Sequence, residues 1–326
     1  METQTQVTKE QHFVPRFYLR GFLNTNNEVD VLDCKLRQIV RPRGVGGICY
    51  EDYFYGIKTG QSDEASQQIE QYFRDIEDKI AKNLKIIVPK LLGNSHISNQ
   101  EKRWIALLMS MIWIRGPMMR TGINAMQEQM LKHLGAFRAT HPSFDKVIDD
   151  IDRETGRTAS PETRESLKKA LKDKNYSLQL DNSSHLLFLE KLPNFSNLFY
   201  GQDWVVYISK LSEKFVTSDN PVAMFIPKRK SIYGPGFLER THFFVLTPDI
   251  CIKARYPQHH SGKKVRRKTL FPGAENTILE LNLTLASRAH HYVYATNRKS
   301  LEDICRVIDQ CERGQRALPA IVYEME

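Results

Sequence analysis

The spacing of apolar residues changes along this chain of 326 residues, and the changes constrain its fold more than any other feature. Before about residue 60, two short alternating segments, "EVDVLDC" and "RQIVRP", predict a β-hairpin. Apolar residues then recur every three or four positions, as in amphipathic helices: Ile69, Tyr72, Phe73, Ile76, Ile80 and Leu84. After about residue 198, β-branched and aromatic segments indicate strands.

These patterns predict an α+β fold: a small N-terminal β-hairpin, a helical middle and a C-terminal antiparallel or mixed β-sheet. We expect a single domain over residues 1–326, with a helical subregion at about 63–198 and a sheet-rich subregion at about 199–326. Ser98 and Glu101 form a capping box that predicts a helix start. The glycine and proline of "RGP", residues 115–117, predict a break in that helix.

Composition restricts the setting and the kind of partner. The longest apolar run, "WIALLMSMIWI", is shorter than a membrane span and predicts a buried helix. The polar start "METQTQVTKEQ" lacks an apolar signal core, so we expect a cytoplasmic protein with no membrane association. The five cysteines include no C-x-x-C pair, which argues against a disulfide framework or zinc knuckle. A formal charge of +9 permits a polyanionic partner such as nucleic acid.

The segment "QHFVPRFYLRGF", residues 11–22, combines a histidine and two arginines with four aromatic residues. Pro15 suits the first position of a short helix, which would place His12 one turn before Arg16. An imidazole beside a guanidinium suits recognition of a phosphate or carboxylate. The alternative is an aromatic plug in which the histidine caps a backbone group.

A second polar segment, "FVTSDNPVAMF", runs from a predicted strand into Ser218, Asp219, Asn220 and Pro221. Asp and Asn favour tight turns, and a residue before proline is restricted to extended geometry. Rigid oxygen and amide groups at a strand end suit an active-site edge, with Asp219 as a general base or as the ligand of a divalent metal. The alternative is a turn that closes a β-hairpin.

Two further sets of cations are candidate binding residues. The run "GKKVRRK", residues 262–268, contains Lys263, Lys264, Arg266 and Arg267, which predict a phosphate-binding surface, or alternatively a solvated loop. Arg115 follows a strongly apolar stretch, so we expect it in a partly buried polar site. A buried guanidinium requires a partner, and an acid such as Glu70 or Asp219 is the expected one.

Three of these segments together resemble the family called domain of unknown function 4238: "QHFVPRFYLRGF", "RGPMMR" and "FVTSDNPV". Members typically open with histidine, valine and proline followed by "FYL" and a phenylalanine. Gly116 departs from the threonine expected in the arginine element. The resemblance covers most of the chain and implies the site residues above, without a known activity. It also implies a setting near mobile elements and defence loci.

Two functions are therefore compatible with the sequence. The first is an enzyme acting on nucleic acid or a nucleotide, a metal-assisted phosphodiesterase or nuclease in antiviral defence. In it, His12 is the general acid or base, Asp219 holds the metal or activates water, Asn220 orients the substrate, and Arg16 and Arg115 bind phosphate. The second is a non-catalytic module that recognises RNA or a phage protein. The enzymatic hypothesis predicts that His12 and Asp219 line one anion-binding cavity.

Overall fold

The structure is a computed structural model that describes residues 7–58, 61, 63–225, 240–257 and 264–312. It confirms the α+β fold predicted from the sequence. The helices are α1 (Arg16–Leu19), α2 (Glu64–Leu92), α3 (Asn99–Arg115), α4 (Pro117–Ala139), α5 (Phe144–Thr155), α6 (Pro161–Asp173), α7 (Ser183–Leu189), α8 (Leu192–Gly201), α9 (Glu275–Ala286) and α10 (Arg298–Glu312). The strands are β1 (Glu10–His12), β2 (Val29–Asp33), β3 (Gln38–Arg43), β4 (Tyr50–Asp52), β5 (Asp203–Ser209), β6 (Thr217–Ser218), β7 (Val222–Phe225), β8 (Thr241–Thr247), β9 (Ile250–Arg255), β10 (Val265–Leu270) and β11 (Tyr292–Ala295).

The chain forms two compact units, one made of Met1–Met119 and Leu186–Glu326 and the other of Arg120–His185. The second unit is charged, as its sequence indicates. In it, Arg164 of α6 binds Asp149 and Asp152 of α5, each with an N–O distance of 2.7 Å. Lys168 of α6 also binds Asp145 at 2.9 Å. These partly exposed pairs align α5 with α6 and contribute little stability individually.

The larger unit contains a mixed sheet of five strands in the order β10-β5-β9-β8-β7, in which only β10 and β5 are parallel. Helices α3 and α8 pack beside this sheet. Lys102 of α3 donates to the Gln202 carbonyl at 2.6 Å, and its ammonium lies 4.6 Å from the ring centre of Trp204. Ten of the 17 residues of α3 are buried, which is expected for a helix enclosed on most sides.

A second sheet confirms the predicted hairpin and extends it. Strands β2 and β3 pair antiparallel, and β11 and β6 from the C-terminal half complete the order β3-β2-β11-β6. Helices α9 and α10 supply Leu283, Leu301 and Ile304 to the apolar cluster on this sheet. The first strand of the chain, β1, pairs only with β4 as a separate two-stranded ribbon.

Local signals placed both ends of α3 correctly. Ser98 and Glu101 form the predicted capping box, with each side chain bonded to the backbone of the other. Helix α3 ends at Arg115, Gly116 is extended at ψ 148°, and α4 starts at Pro117. Among the residues that the structure describes, no helix is both long and apolar enough to cross a membrane.

Candidate functional site

The ribbon of β1 and β4 carries His12. His12 pairs with Tyr50 across the ribbon, and their ring centres lie 5.5 Å apart. Because side chains alternate along a strand, His12 and Glu10 project to one side, while Gln11 and Phe13 project to the other and are buried. The predicted short helix then follows, as α1 and a single 3-10 turn that ends at Phe22.

His12 lines a polar cavity of about 570 Å³. Helix α2 contributes Glu70, Arg74 and Glu77, whose spacing of four and three places them on one helix face. The guanidinium of Arg16 also borders the cavity. The full lining is Val7, Thr8, Lys9, Glu10, His12, Arg16, Glu70, Arg74, Glu77 and Arg115. The cavity therefore combines three guanidinium groups with an imidazole and three carboxylates.

Arg115 lines this cavity but is buried, and each of its three guanidinium nitrogens donates a hydrogen bond to a neighbour. Its Nε donates to the Tyr55 hydroxyl at 2.6 Å, one terminal nitrogen to Glu77 at 2.5 Å and the other to the His12 carbonyl. Its guanidinium also lies 4.3 Å from the ring centre of Phe73. The sequence correctly predicted a buried, paired arginine, but the acid bonded to it is Glu77. Arg115 thus holds the ribbon against α2 and α3.

His12 is held in its neutral form. Burial, together with the positive charges of Arg16 and Arg115, lowers the pKa of the imidazole to about 4, although backbone hydrogen bonds with Val45 and Glu10 oppose the shift. Its Nε2 is buried and has no hydrogen-bond partner among the described residues. A neutral imidazole has one protonated and one unprotonated nitrogen, so the His12 ring can both donate and accept a hydrogen bond.

Glu70 is the second side chain of this cavity with an unused polar atom. Its Oε2 is buried, and the described part of the chain offers it no hydrogen-bond partner. Burial raises the pKa of this carboxyl above its usual value, Arg115 opposes the shift, and Glu77 adds to it. The cavity therefore joins an imidazole that is unprotonated at neutral pH with a carboxyl that retains its proton to higher pH than usual.

Asp219 lies elsewhere, where its carboxylate organises the backbone. Its Oδ1 accepts from the His290 amide at 2.8 Å, and its Oδ2 accepts from the His291 and Tyr292 amides at 2.7 and 3.0 Å. Burial raises the pKa of the carboxyl, while these three amide donors lower it. The carboxylate thus fixes the connection that leads from α9 into β11.

The side chains of Ser218 and Asn220 also bond backbone groups of this region. The Asn220 amide donates to Ser218 Oγ at 3.1 Å, and Asn220 Nδ2 donates to the Arg288 carbonyl at 2.8 Å. The turn does not close a hairpin, because β6 and β7 belong to different sheets. The turn instead connects β6 of one sheet with β7 of the other. Its Asn220 side chain bonds the segment that follows α9.

His12 and Asp219 line different cavities, so the structure does not bring them into the single hollow expected from the sequence. Asp219 borders a cavity of about 370 Å³, together with Arg43, Tyr50, Glu51, His290 and His291. The two motifs instead meet in the core, where the Tyr18 hydroxyl bonds Thr217 Oγ1 at 2.7 Å and the Val245 carbonyl at 2.6 Å.

A family model described as "Protein of unknown function (DUF4238)" matches residues 10–299 of the chain. The chain belongs to the DUF4238 family. No curated protein and no solved structure matched it in the other two comparisons. The matched range includes the Asp219 turn and every residue that lines the His12 cavity except Val7, Thr8 and Lys9. The family description assigns no activity, so chemistry must be inferred from the side chains of this DUF4238 chain.

The divalent metal expected at Asp219 has no matching set of ligands. Within the described residues, no group of three or more His, Cys, Asp and Glu side chains is arranged to hold a metal ion. The two Asp219 oxygens already accept three amide hydrogens, and the adjacent residues contribute backbone rather than side-chain donors.

The cations of the predicted basic run do not all lie on one surface, because successive side chains of β10 project to opposite faces of the sheet. Lys263 lies outside the described residues, whereas Lys264 is exposed directly before β10. Arg266 is exposed, but its neighbour Arg267 points to the opposite face and donates to the Ser95 carbonyl at 2.6 Å. Arg266 and Arg267 therefore do not form one surface.

Sequence reasoning missed Arg74 and Glu77 and named Glu70 only as a partner for Arg115. All three follow helical spacing, which also describes an ordinary solvated face of a helix. The sequence did indicate that a buried Arg115 requires an acid. Glu70 and Glu77, both on α2, satisfy that requirement equally well. Only the approach of α2 to the β1–β4 ribbon distinguishes them.

Proposed function

We propose that this chain is a phosphodiesterase that acts on nucleic acid or nucleotides through the His12 cavity. One observation supports this proposal above the others. A polar cavity lined by arginines contains two side chains of acid–base type, His12 and Glu70, each with a buried polar atom left unpaired by the described residues. Perturbed acid–base groups in a cleft are typical of catalytic sites.

His12 suits the role of general base. In its neutral form the imidazole would present the lone pair of Nε2, the nitrogen without a partner among the described residues, and take a proton from the water whose oxygen attacks phosphorus. Glu70 suits the role of general acid, because a carboxyl with a raised pKa retains the proton that the leaving oxygen requires. One phosphorus–oxygen bond forms and one breaks, and solvent returns the proton from His12 to Glu70.

Arg16 and Arg74 suit phosphate binding. Both are exposed and border the cavity, whereas Arg115 is committed to Tyr55, Glu77 and the His12 carbonyl. A guanidinium donates two parallel hydrogen bonds to phosphate oxygens and neutralises charge that develops in the transition state. Arg115 then positions His12 through the backbone rather than touching the substrate.

The test is hydrolysis of bis(p-nitrophenyl) phosphate, nucleotides and single-stranded oligonucleotides by the wild type, His12→Asn and Glu70→Gln. Each variant should lose about a hundredfold or more in kcat, the usual contribution of a general acid or base. His96→Asn and Asp78→Asn are matched controls, because both residues are exposed and lie outside the cavity lining.

The pH profile tests the assigned roles. Activity should rise with pH as His12 loses its proton near pH 4 and fall again as Glu70 ionises, which gives a bell with an acidic rising limb. The His12→Asn variant should lose the rising limb, and Glu70→Gln the falling limb. Full activity in both variants would reject the proposal.

The second candidate is a non-catalytic module that binds RNA or a phage protein. It is favoured by the buried Tyr18–Thr217 bond and by the three amide bonds of Asp219, which make the two motifs structural. Ligand binding with no turnover, and binding that persists in Glu70→Gln, would support it.

The proposed setting in defence is tested by plaque counts on cells that express the wild type or His12→Asn.

A further inference from the structure

The five-stranded sheet has one face that collects positive charge. Strand β10 is its edge, and along it Arg266 and Lys268 are exposed, as is Lys264 just before the strand. Side chains two residues apart project to one face and lie about 6.6 Å apart. These three cations therefore form a row along the edge of the sheet.

The neighbouring strands add to this row. Across the parallel pairing, Arg266 is opposite Val205 and Lys268 is opposite Tyr207 on β5. Across the next pairing, Val205 is opposite Lys253 on β9. Residues in register project from the same face of a sheet, in rows about 4.8 Å apart. Lys253 and, through its pairing with Asp203, the exposed Arg255 thus belong to the same face.

The opposite face is closed. Trp204, Val206 and Ile208 of β5 are buried, and the Lys102 ammonium of α3 lies over the Trp204 ring. Arg267 also belongs to this side, where the Ser95 carbonyl accepts its hydrogen bond. The sheet therefore has one face packed on helices, and its other face is basic along β10 and β5 but buried at Cys251 of β9 and Phe243 of β8.

The basic face, defined by Lys253, Arg255, Lys264, Arg266, Lys268 and Tyr207, is strongly asymmetric in charge. Among the described residues of its three strands, Asp203 is the one acid on that side, and its carboxylate accepts from the Lys264 amide at 2.8 Å. Tyr207 is half-buried, and the Lys268 ammonium lies 5.7 Å from its ring centre. The face thus carries five cations and one aromatic ring, with Lys268 beside that ring.

We propose that the basic face binds single-stranded nucleic acid, with phosphates on the cations and a base stacked on Tyr207. Rows of cations along a strand follow an extended phosphate backbone, and an aromatic ring stacks bases of any sequence. A duplex hides the faces of its bases, so it would use the charges but not the ring. The inference does not depend on the chemistry of the His12 cavity.

The experiment measures fluorescence anisotropy of a labelled single strand of about 16 nucleotides, as DNA and as RNA, and of the matching duplex. Titrations run between about 50 and 200 mM salt, where phosphate contacts weaken steeply. Arg266→Ala/Lys268→Ala should lower the salt slope by about 1.4, since each phosphate contact on a single strand contributes about 0.7. Lys169→Ala/Lys172→Ala is the matched control, because both lysines are exposed on α6, and it should bind as the wild type.

Tyr207→Leu separates stacking from charge. It should weaken single-strand binding about tenfold, with the salt slope and the duplex affinity unchanged. Equal binding by the wild type and Arg266→Ala/Lys268→Ala overturns the inference. Duplex binding as tight as single-strand binding, together with an unaffected Tyr207→Leu, also overturns it. His12→Asn should bind as the wild type, so a loss of turnover in that variant concerns the cavity alone.

Discussion

The His12 cavity and the Asp219 turn are both polar segments set among apolar residues, yet their polar atoms are used differently. At the turn, the Asp219 carboxylate accepts three backbone amides, and the Asn220 side chain donates to a backbone carbonyl. In the cavity, His12 Nε2 and Glu70 Oε2 are buried and find no partner among the described residues. The turn uses its polar groups to bond the backbone, whereas the cavity leaves His12 Nε2 and Glu70 Oε2 available to a ligand.

This difference separates stability from function. A buried polar group normally has a hydrogen-bond partner, and leaving it without one costs free energy. Sites retain such groups when a ligand supplies the missing partner. Removal of a satisfied group should therefore destabilise the fold, whereas removal of an unsatisfied one should leave stability unchanged or improved.

The largest expected effect comes from Arg115, the satisfied member of the cavity. Arg115→Ala leaves Glu77, Tyr55 and the His12 carbonyl without their donor and should lower the free energy of unfolding by about 3–5 kcal/mol. Urea denaturation followed by circular dichroism measures it. Arg103→Ala, an exposed arginine of the same helix, is the control and should cost far less. Equal costs would show that Arg115 is not a structural clamp.

Asp219→Ala should rank second, with a loss of about 2–4 kcal/mol, because three partly buried amides lose their acceptor. Asp219→Asn, which retains one acceptor oxygen, should recover part of that loss in the same urea experiment. If Asp219→Ala unfolds as the wild type but abolishes hydrolysis, the comparison is reversed and the turn becomes the functional site.

A smaller effect is expected in the pH dependence of stability. The pKa of His12 is lowered to about 4 in the folded state, so between pH 6.5 and about 4 the unfolded chain binds the proton and the folded chain does not. Stability should therefore fall as the pH decreases through this range. Denaturation at several pH values should give a shallower fall for His12→Asn. Parallel curves would mean that the imidazole is not buried in its neutral form.

Glu70→Gln should have the smallest effect and the opposite sign. A carboxyl with a raised pKa destabilises the folded state as the pH rises through that pKa, so its replacement should slightly increase stability at pH 7. The gain should disappear as the pH approaches 4.5, the ordinary value for this group. A Glu70→Gln protein that is more stable but does not hydrolyse the substrate would show that Glu70 serves activity at a cost in stability. Destabilisation at pH 7 would assign Glu70 a structural role instead.

Much of the fold could be predicted from short-range patterns. The β2–β3 hairpin, the Ser98 capping box and the break at Gly116 depend on residues a few positions apart, and the structure confirms each of them. The site was less predictable. His12 and Arg16 were found because they share one short segment, whereas Arg74 and Glu77 lie on a helix face that resembles any solvated face.

The sequence by itself determined the order of a β-hairpin, a helical middle and a sheet-rich C-terminal part, that Arg115 is buried with an acid, and that cations concentrate before and along β10. Tertiary structure alone decided that Glu77 is that acid, that His12 and Asp219 line separate cavities, and that Arg266 and Arg267 face opposite sides of a sheet. The physical reason is the range of the interactions. Backbone periodicity and capping act within one or two turns, whereas the partner of a buried polar group is set by elements that meet only after the chain has folded.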